Sequence, residues 1–372
     1  MSLKSKLVPL VMALLIVAAP AASFADAGTL GQQITLSDAI TMAQNSNVGL
    51  VISNITLQQA KNSESSASTG FASSGSFTPG SNGNSSQINA ATGKLSSAYT
   101  LQNDLASNAY QQNNVIYETE SAYFAVQDAV YGAQVAQTSV DQAQQAYNDA
   151  EVSYQQGVET ANDLATAKSN LDLAKSKLTA AQAGVDAAYV NFDNTVGLDP
   201  TERPDLTTLV SYDPNYVAGV VSADQAVSQT LANNYQALTA QNNVFLADSE
   251  QAYANPSTNG YLNYQQAQLA EQQAIQGLTI SARAAYMAVG SDTDAYNAAE
   301  KAVISAQASY SNAQASYAAG VITKSTLLQA ELGLVSAKQT LQSDLHSLLL
   351  ARANLALITG VGSVTIPVSS GQ

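Results

Sequence analysis

From Leu164 onward, large and small apolar residues alternate at a three-then-four spacing: Leu164, Ala167, Leu171, Ala174, Leu178, and on through Ala181, Val185 and Ala188 to Phe192. The same spacing returns from Leu327 through Ala330, Leu334, Ala337 and Leu341 to Leu355, with Asp344 standing where the pattern asks for a small residue. A sustained seam of this kind predicts helices that pack closely as coiled coils. Upstream of each seam runs a narrower stripe, Val140, Ala143, Tyr147, Ala150 and Tyr154 in one place and Val303, Ala306, Tyr310, Ala313 and Tyr317 in the other. The first stripe predicts a helix from about Ser97 to Gln156, roughly 90 Å long if continuous.

These two patterns are copies. A shift of 163 positions aligns Ala122–Gly197 with Ala285–Gly360 without a gap, with about two dozen identities over roughly 76 pairs. The earlier parts correspond at a different shift: "LSDAITMAQNSNVGL" from Leu36 resembles "SADQAVSQTLANNYQAL" from Ser222. Both open with a Ser or Asp cap signal before an amphipathic run. The expected fold class is therefore all-α, with long antiparallel coiled-coil hairpins built by internal duplication. The expected organisation is a first repeat over 26–197, a linker over 198–219, a second repeat over 220–362 and a tail over 363–372. Within the first repeat, the Gly/Ser/Asn-rich stretch 66–97 predicts a flexible loop. Its counterpart in the second repeat is the short turn Asn255–Gly260. Three prolines between Gly197 and Gly219 support the linker.

Between stripe and seam lies "SYQQGVET" (Ser153–Thr160), repeated as "SYAAGVIT" (Ser316–Thr323). Two long antiparallel helices must reverse here within a few residues. Gly157 and Gly320 can take the left-handed conformation that ends a helix. Thr160 and Thr323 are placed to cap the returning helix. Tyr154 and Tyr317 are expected to pack beneath the hairpin end. Val158 and Val321 fall at the tip and have no role in the turn. One exposed valine is ordinary, but a ring of them in a symmetric oligomer would be an apolar surface.

Composition narrows the setting. Lys4 and Lys6 precede the apolar run "LVPLVMALLIVAAPAA", and Ser23-Phe24-Ala25 carries small residues where signal peptidase reads, so residues 1–25 read as a signal peptide. The run is short for an uncleaved membrane span. The chain has no cysteine, which excludes a lipoprotein anchor, disulfides and thiolate metal sites. Without Lys4 and Lys6 the formal charge moves from −15 to about −17, unfavourable for nucleic acid. Charged residues are only 11% of the chain, against roughly one quarter in ordinary domains. Gln, Asn, Ser, Thr and Ala fill the helix faces instead. Past the signal, no stretch is long and apolar enough for a transmembrane helix.

Catalysis has little material. The only histidine, His346, lies among leucines and is expected to face solvent or an interface. With one histidine and no cysteine, Cys/His zinc sites and ordinary Ser-His-Asp triads drop out. No glycine loop has phosphate-cradling spacing. No cofactor, metal or enzymatic activity is expected.

The motif YxxGVxTxxxLxxAxxxLxxAK, present at Tyr154–Lys175 and again at Tyr317–Lys338, is similar to the outer-membrane efflux proteins, the TolC-like family. The opening "LSDAITMAQNSN" and the closing "LALITG" (Leu355–Gly360) add to the resemblance, which spans nearly all of the chain beyond the signal. It implies a homotrimer whose helices form a hollow α-barrel across the periplasm, docked on a periplasmic adaptor that serves an inner-membrane pump. It implies that Gly157, Val158 and Thr160, with Gly320, Val321 and Thr323, are the adaptor-docking tips. Asp163 stands where family members carry an acid near the entrance constriction, and Thr326 is its uncharged counterpart. Equally, Asp163 is a first-turn carboxylate that the helix dipole favours. Family members insert two membrane strands per half between the first and second helices, each strand needing about 9–11 residues. Asn255–Gly260 is too short, and 66–97 holds few large apolar residues, so the β-barrel is expected to be missing or vestigial. The readings are an export duct located in the envelope, at the outer membrane by resemblance, or a non-transporting coiled-coil spacer of the envelope.

Overall fold

The computed structural model describes residues 32–74, 85–208, 210, 220, 222–254 and 258–366. The stretch 1–25, expected to be a signal peptide, lies outside these residues. The first half runs β1 (Gln33–Ile34), α1 (Leu36–Ser46), α2 (Val48–Ser74), α3 (Ser85–Gln155) and α4 (Ala161–Val196). A two-residue strand, β2 (Asp205–Leu206), pairs parallel with β1 and joins the halves. The second half runs α5 (Ala223–Asn233), α6 (Tyr235–Ser249), a π-helical turn (Glu250–Ala254), α7 (Thr258–Ala318) and α8 (Lys324–Thr359). The all-α expectation holds, and the two halves repeat the same order of helices.

Each opening helix is broken once, at an asparagine. Asn47 and Asn234 are extended, and each ends one helix while its side chain starts the next. Asn47 Oδ1 accepts the Leu50 N–H at 2.9 Å, and Asn234 Oδ1 accepts that of Gln236 at 2.9 Å. An asparagine side chain competes well with the helical backbone in this way. The clusters "NSN" and "ANN" carried that signal.

The heptad seams pack as their spacing predicts. Val140 and Ala143 of α3 meet Leu171 and Ala174 of α4 in a buried cluster. In the second half Ala299 and Val303 of α7 and Leu327 and Leu334 of α8 are buried. Laterally the long helices form one layer in the order α4, α3, α8, α7. α8 is internal to that layer, and its last turns are buried on several sides. α4 and α7 are the two edges.

The main core sits midway along the layer, where α1, α3, the ends of α4 and α8, and the β1–β2 pair converge. Tyr123 and Phe192 are fully buried there with their rings edge to face at 6.0 Å. The Tyr123 hydroxyl donates to the Ile34 carbonyl at 3.0 Å and accepts the Thr208 N–H at 2.9 Å. One side chain therefore ties α3 to β1 and to the chain between the halves.

Four expectations need correction. The stretch 66–97 is not a loop over its length: α2 continues to Ser74 and α3 begins at Ser85. Hydroxyls at Ser66, Thr69, Thr92 and Ser97 bond back to carbonyls four residues earlier, so Ser and Thr are satisfied inside a helix. The Lys94 ammonium lies 4.9 Å from the Phe71 ring and links the two helices. Likewise the first part of the expected linker 198–219 is packed, since Leu198, Leu206 and Val210 join the main core. Residues 209 and 211–219 lie outside the described ones. The tail also begins inside the core: Val364 and Ile366 are buried, and residues 367–372 lie outside the described ones. Of the expected turn Asn255–Gly260, Thr258 onward is helix, and Asn255–Ser257 lie outside the described residues.

The Ile366 N–H donates to Glu120 Oε1 at 2.7 Å, while Glu120 Oε2 meets no donor in the protein. Glu120 is fully buried, and burial pushes its carboxyl up to about 8 against the opposing pull of that one hydrogen bond.

Two closing glycines tie the two ends of each half together by close approach. Gly197 (φ 80°) ends α4, and a Cβ there would stand 2.5 Å from the Ser46 Cβ at the end of α1. Gly360 (φ 65°) ends α8, and its Cβ would stand 2.8 Å from the Asn233 Cβ at the end of α5. Gly197→Ala or Gly360→Ala combines left-handed strain of about 1–2 kcal/mol with a clash. Each is expected to lower thermal stability by more than Gly157→Ala, which meets the strain alone, and helical circular dichroism on heating checks the order. Glu120 supplies a second expectation. Its folded pKa is raised above the unfolded value, so its contribution to stability is complete below about 4.5 and is lost as pH rises through about 8. Denaturant melts of Glu120→Gln should lose that decline between about pH 4.5 and 8, on the order of a few kcal/mol.

Candidate functional site

The turn at Gly157 closes α3 in a Schellman motif. Gly157 (φ 74°) donates to the Tyr154 carbonyl at 3.0 Å, and Val158 donates to Ser153 at 2.9 Å. The second tip repeats it: Gly320 (φ 72°) donates to Tyr317 at 2.9 Å and Val321 to Ser316 at 2.9 Å. The residue in the valine's place commonly packs back on the residue whose carbonyl it bonds. Here that residue is serine in both copies, and Val158 and Val321 are each 75% exposed. The turn uses their N–H groups and leaves their side chains free.

Thr160 and Thr323 cap the returning helices as expected. Asp163 and Thr160 form a reciprocal capping box: the Asp163 N–H donates to Thr160 Oγ1 at 3.3 Å, and the Thr160 N–H donates to Asp163 Oδ2 at 2.9 Å. The Thr160 hydroxyl adds a third bond at 2.7 Å, and these bonds hold the Asp163 carboxyl below its ordinary value. The structure thus gives Asp163 a local task in starting α4. At the second tip Thr326 donates its N–H to Thr323 Oγ1 at 3.2 Å, with no acid to return the bond.

Tyr154 and Tyr317 do not pack beneath the hairpin ends. They are 44% and 42% exposed. Tyr317 instead carries the Lys324 ammonium over its ring at 5.7 Å. Lys324 was not singled out from the sequence, although matching the repeats position by position would have found it. Glu159, Ala161 and Asp163 of the first tip correspond to Ile322, Lys324 and Thr326 of the second. Two tips with one backbone therefore present opposite charge.

His346 is corrected as well. It is buried, not solvent-facing, with its ring stacked on Phe124 at 4.2 Å. Its Nδ1 donates to Asp128 Oδ1 at 2.8 Å, and the Gln342 amide stands 2.7 Å from Nε2. Gln342 occupies the place a nucleophile would need, so the Asp-His pair fastens α8 to α3 and cannot serve as a catalytic base. Among the described residues no group of acids and histidine is arranged to hold a metal ion, and no helix is long and apolar enough to cross a membrane.

Thr160→Ala should fray the start of α4, costing about 0.5–2 kcal/mol locally. Faster amide exchange at residues 161–164, with the rest of α4 unchanged, is the expected reading. The same change at Thr323 should fray α8 in the same way.

No protein-family model and no curated protein sequence matches the chain. Solved structures do. The outer-membrane channel OprN superposes with a TM-score of 0.64 at 12% identity, over 88% of this chain and 90% of that one. The outer membrane protein VceC of Vibrio cholerae gives 0.62 at 13% identity, over 88% and 96%. The CmeC outer membrane channel of Campylobacter jejuni gives 0.62 at 14% identity, over 91% and 87%. These neighbours are channel proteins and not enzymes. This chain has the TolC-like helical fold of outer-membrane channels.

Proposed function

We propose that this protein is the duct component of an export system, exported to the cell envelope. Three copies close their helical layers into a hollow tube, and the six hairpin tips form its entrance. The entrance docks on a periplasmic adaptor, which couples the duct to an inner-membrane pump. Transport through the duct is passive: Gln, Asn, Ser and Thr faces with little charge suit a water-filled lumen. The observation that carries this reading is a fold shared with outer-membrane channels over nearly the whole chain, together with two tips whose valines have no structural task. Gly157, Val158 and Thr160 with Gly320, Val321 and Thr323 are the docking residues on this reading. Asp163 and Thr326 flank the constriction.

One observation favours the second reading, a spacer of the envelope that carries no traffic. α2 ends at Ser74 and α3 begins at Ser85, and the π-helical turn ends at Ala254 with α7 starting at Thr258. Neither interval has the length for two membrane strands of about 9–11 residues each. Among the described residues the paired strands are β1 and β2 alone. The duct reading accommodates this if the tube meets the outer membrane without a strand barrel of its own.

Purified protein is expected to be a trimer by light scattering. Val158→Asp with Val321→Asp should leave the trimer and its helicity intact while abolishing export in cells and crosslinking of tip cysteines to the adaptor. A stable monomer, or unimpaired export by the double variant, refutes the duct reading and leaves the spacer.

A further inference from the structure

The two closing helices end alike, yet one buried residue at that end differs between them. Gly197 donates to the Asp193 carbonyl at 2.8 Å, and Gly360 donates to that of Ala356 at 2.9 Å. Asp193 and Ala356 are matching positions of the repeat, 163 apart, and both are buried. An alanine therefore serves this backbone at this depth. The aspartate is an addition that the fold does not require.

It is a costly addition. Asp193 is fully buried, and among the described residues neither of its carboxyl oxygens meets a hydrogen-bond donor. It also sits in the last turn of α4, where the helix dipole disfavours an anion. Its partner is the Arg203 guanidinium, whose Nη1 stands 3.7 Å from Oδ2, beyond hydrogen-bond reach. That guanidinium is shared. Nη1 donates to the carbonyls of Glu202 at 2.6 Å and Pro200 at 3.1 Å, and Nη2 pairs with Asp186 Oδ1 at 3.3 Å. The other charged or titratable groups on the neighbouring elements bring no second cation. α3 carries Glu118, Glu120 and Tyr123 at this level, α1 carries Asp38, and β2 begins with Asp205. Burial pushes the Asp193 carboxyl up to about 6; Arg203 opposes that, and Glu202 and Asp199 add to it.

Arg203 belongs to the chain between the repeats, and it fastens that chain to α4. The guanidinium lies 5.2 Å over the Tyr189 ring, and the Tyr189 hydroxyl donates to the Pro204 carbonyl at 3.0 Å. Asp205 and Leu206 follow at once as β2, paired with β1. The Arg203 side chain is 39% exposed beside a carboxyl that is not exposed at all. Lifting this segment is the short way for water to reach Asp193.

We propose that Asp193 and Arg203 form a proton-controlled clasp on the chain between the repeats. With the carboxyl protonated, residues 198–206 stay folded over the end of α4. Loss of the proton leaves a buried anion with one shared cation, and the anion is relieved when the segment lifts and water hydrates it. The sign follows from linkage. The carboxyl holds its proton more tightly in the closed form than in water, so the clasp is firmest below about 4 and loosens as pH rises through about 6. The second repeat, with Ala356 in this place, has no such device.

Amide exchange on the full chain tests the clasp. The reporters are Leu198, Glu202 and Asp205, whose N–H groups donate to Asp193, Asp199 and Gln32. Corrected for intrinsic exchange, their protection should fall on the order of a hundredfold between about pH 4 and pH 7. Residues 161–175 of α4 should change far less. The isosteric Asp193→Asn should flatten the profile, and so should Asp193→Ala, which installs the residue of the second copy. Glu120→Gln should leave the fall in place, which separates Asp193 from the other buried acid. A flat profile in the native chain overturns the clasp. So does a fall that survives both Asp193 variants, one that vanishes with Glu120→Gln, or one of equal size along 161–175.

Discussion

Four left-handed glycines set the dimensions of this molecule. Gly157 and Gly197 bracket α4, Gly320 and Gly360 bracket α8, and both helices are 36 residues long. A helix that must begin and end at such glycines cannot lengthen at either end without strain. The outer pair adds a steric condition, because Gly197 and Gly360 press against Ser46 and Asn233 with no room for a side chain. Each closing helix is thereby pinned at the middle of the molecule and measured out to its tip. The two tips end level as a result.

That levelness makes the rest useful. Hairpins of unequal reach would present one tip to a partner and withhold the other. Equal hairpins present two valines at one height. The core midway along the layer anchors the arrangement: Tyr123 ties β1 and the inter-repeat chain to α3, and His346 ties α8 to α3. Away from that anchor the seam is narrow and the helix faces are polar, so the hairpins hold little buried surface of their own.

Duplication also allowed the halves to diverge where geometry did not object. The tips keep Gly, Val and Thr because backbone conformation, exposure and capping act on those positions alike. Glu159, Ala161 and Asp163 became Ile322, Lys324 and Thr326 without changing the turn. The first tip gains a reciprocal capping box and the second a cation over Tyr317. A partner that meets both tips meets one shape with two charges.

The sequence by itself determined what is local or periodic. The heptad seams, the gapless repeat, the glycine turns and the threonine caps are all set by spacing and backbone preference, and each was legible as written. The exposure of Val158 and Val321 followed from the same turn. Tertiary structure decided what depends on who stands nearby. His346 is buried because Phe124 and Asp128, more than 200 positions away, supply a stacking face and an acceptor. Residues 66–74 and 85–97 are helical because the two helices pack on each other and hydroxyls bond back to their own backbone, which composition alone reads as loop. Val364 and Ile366 belong to the core because Glu120 offers an acceptor across the fold. Local preference spans one or two helix turns, whereas these contacts span the chain, and only the folded arrangement brings their two ends together.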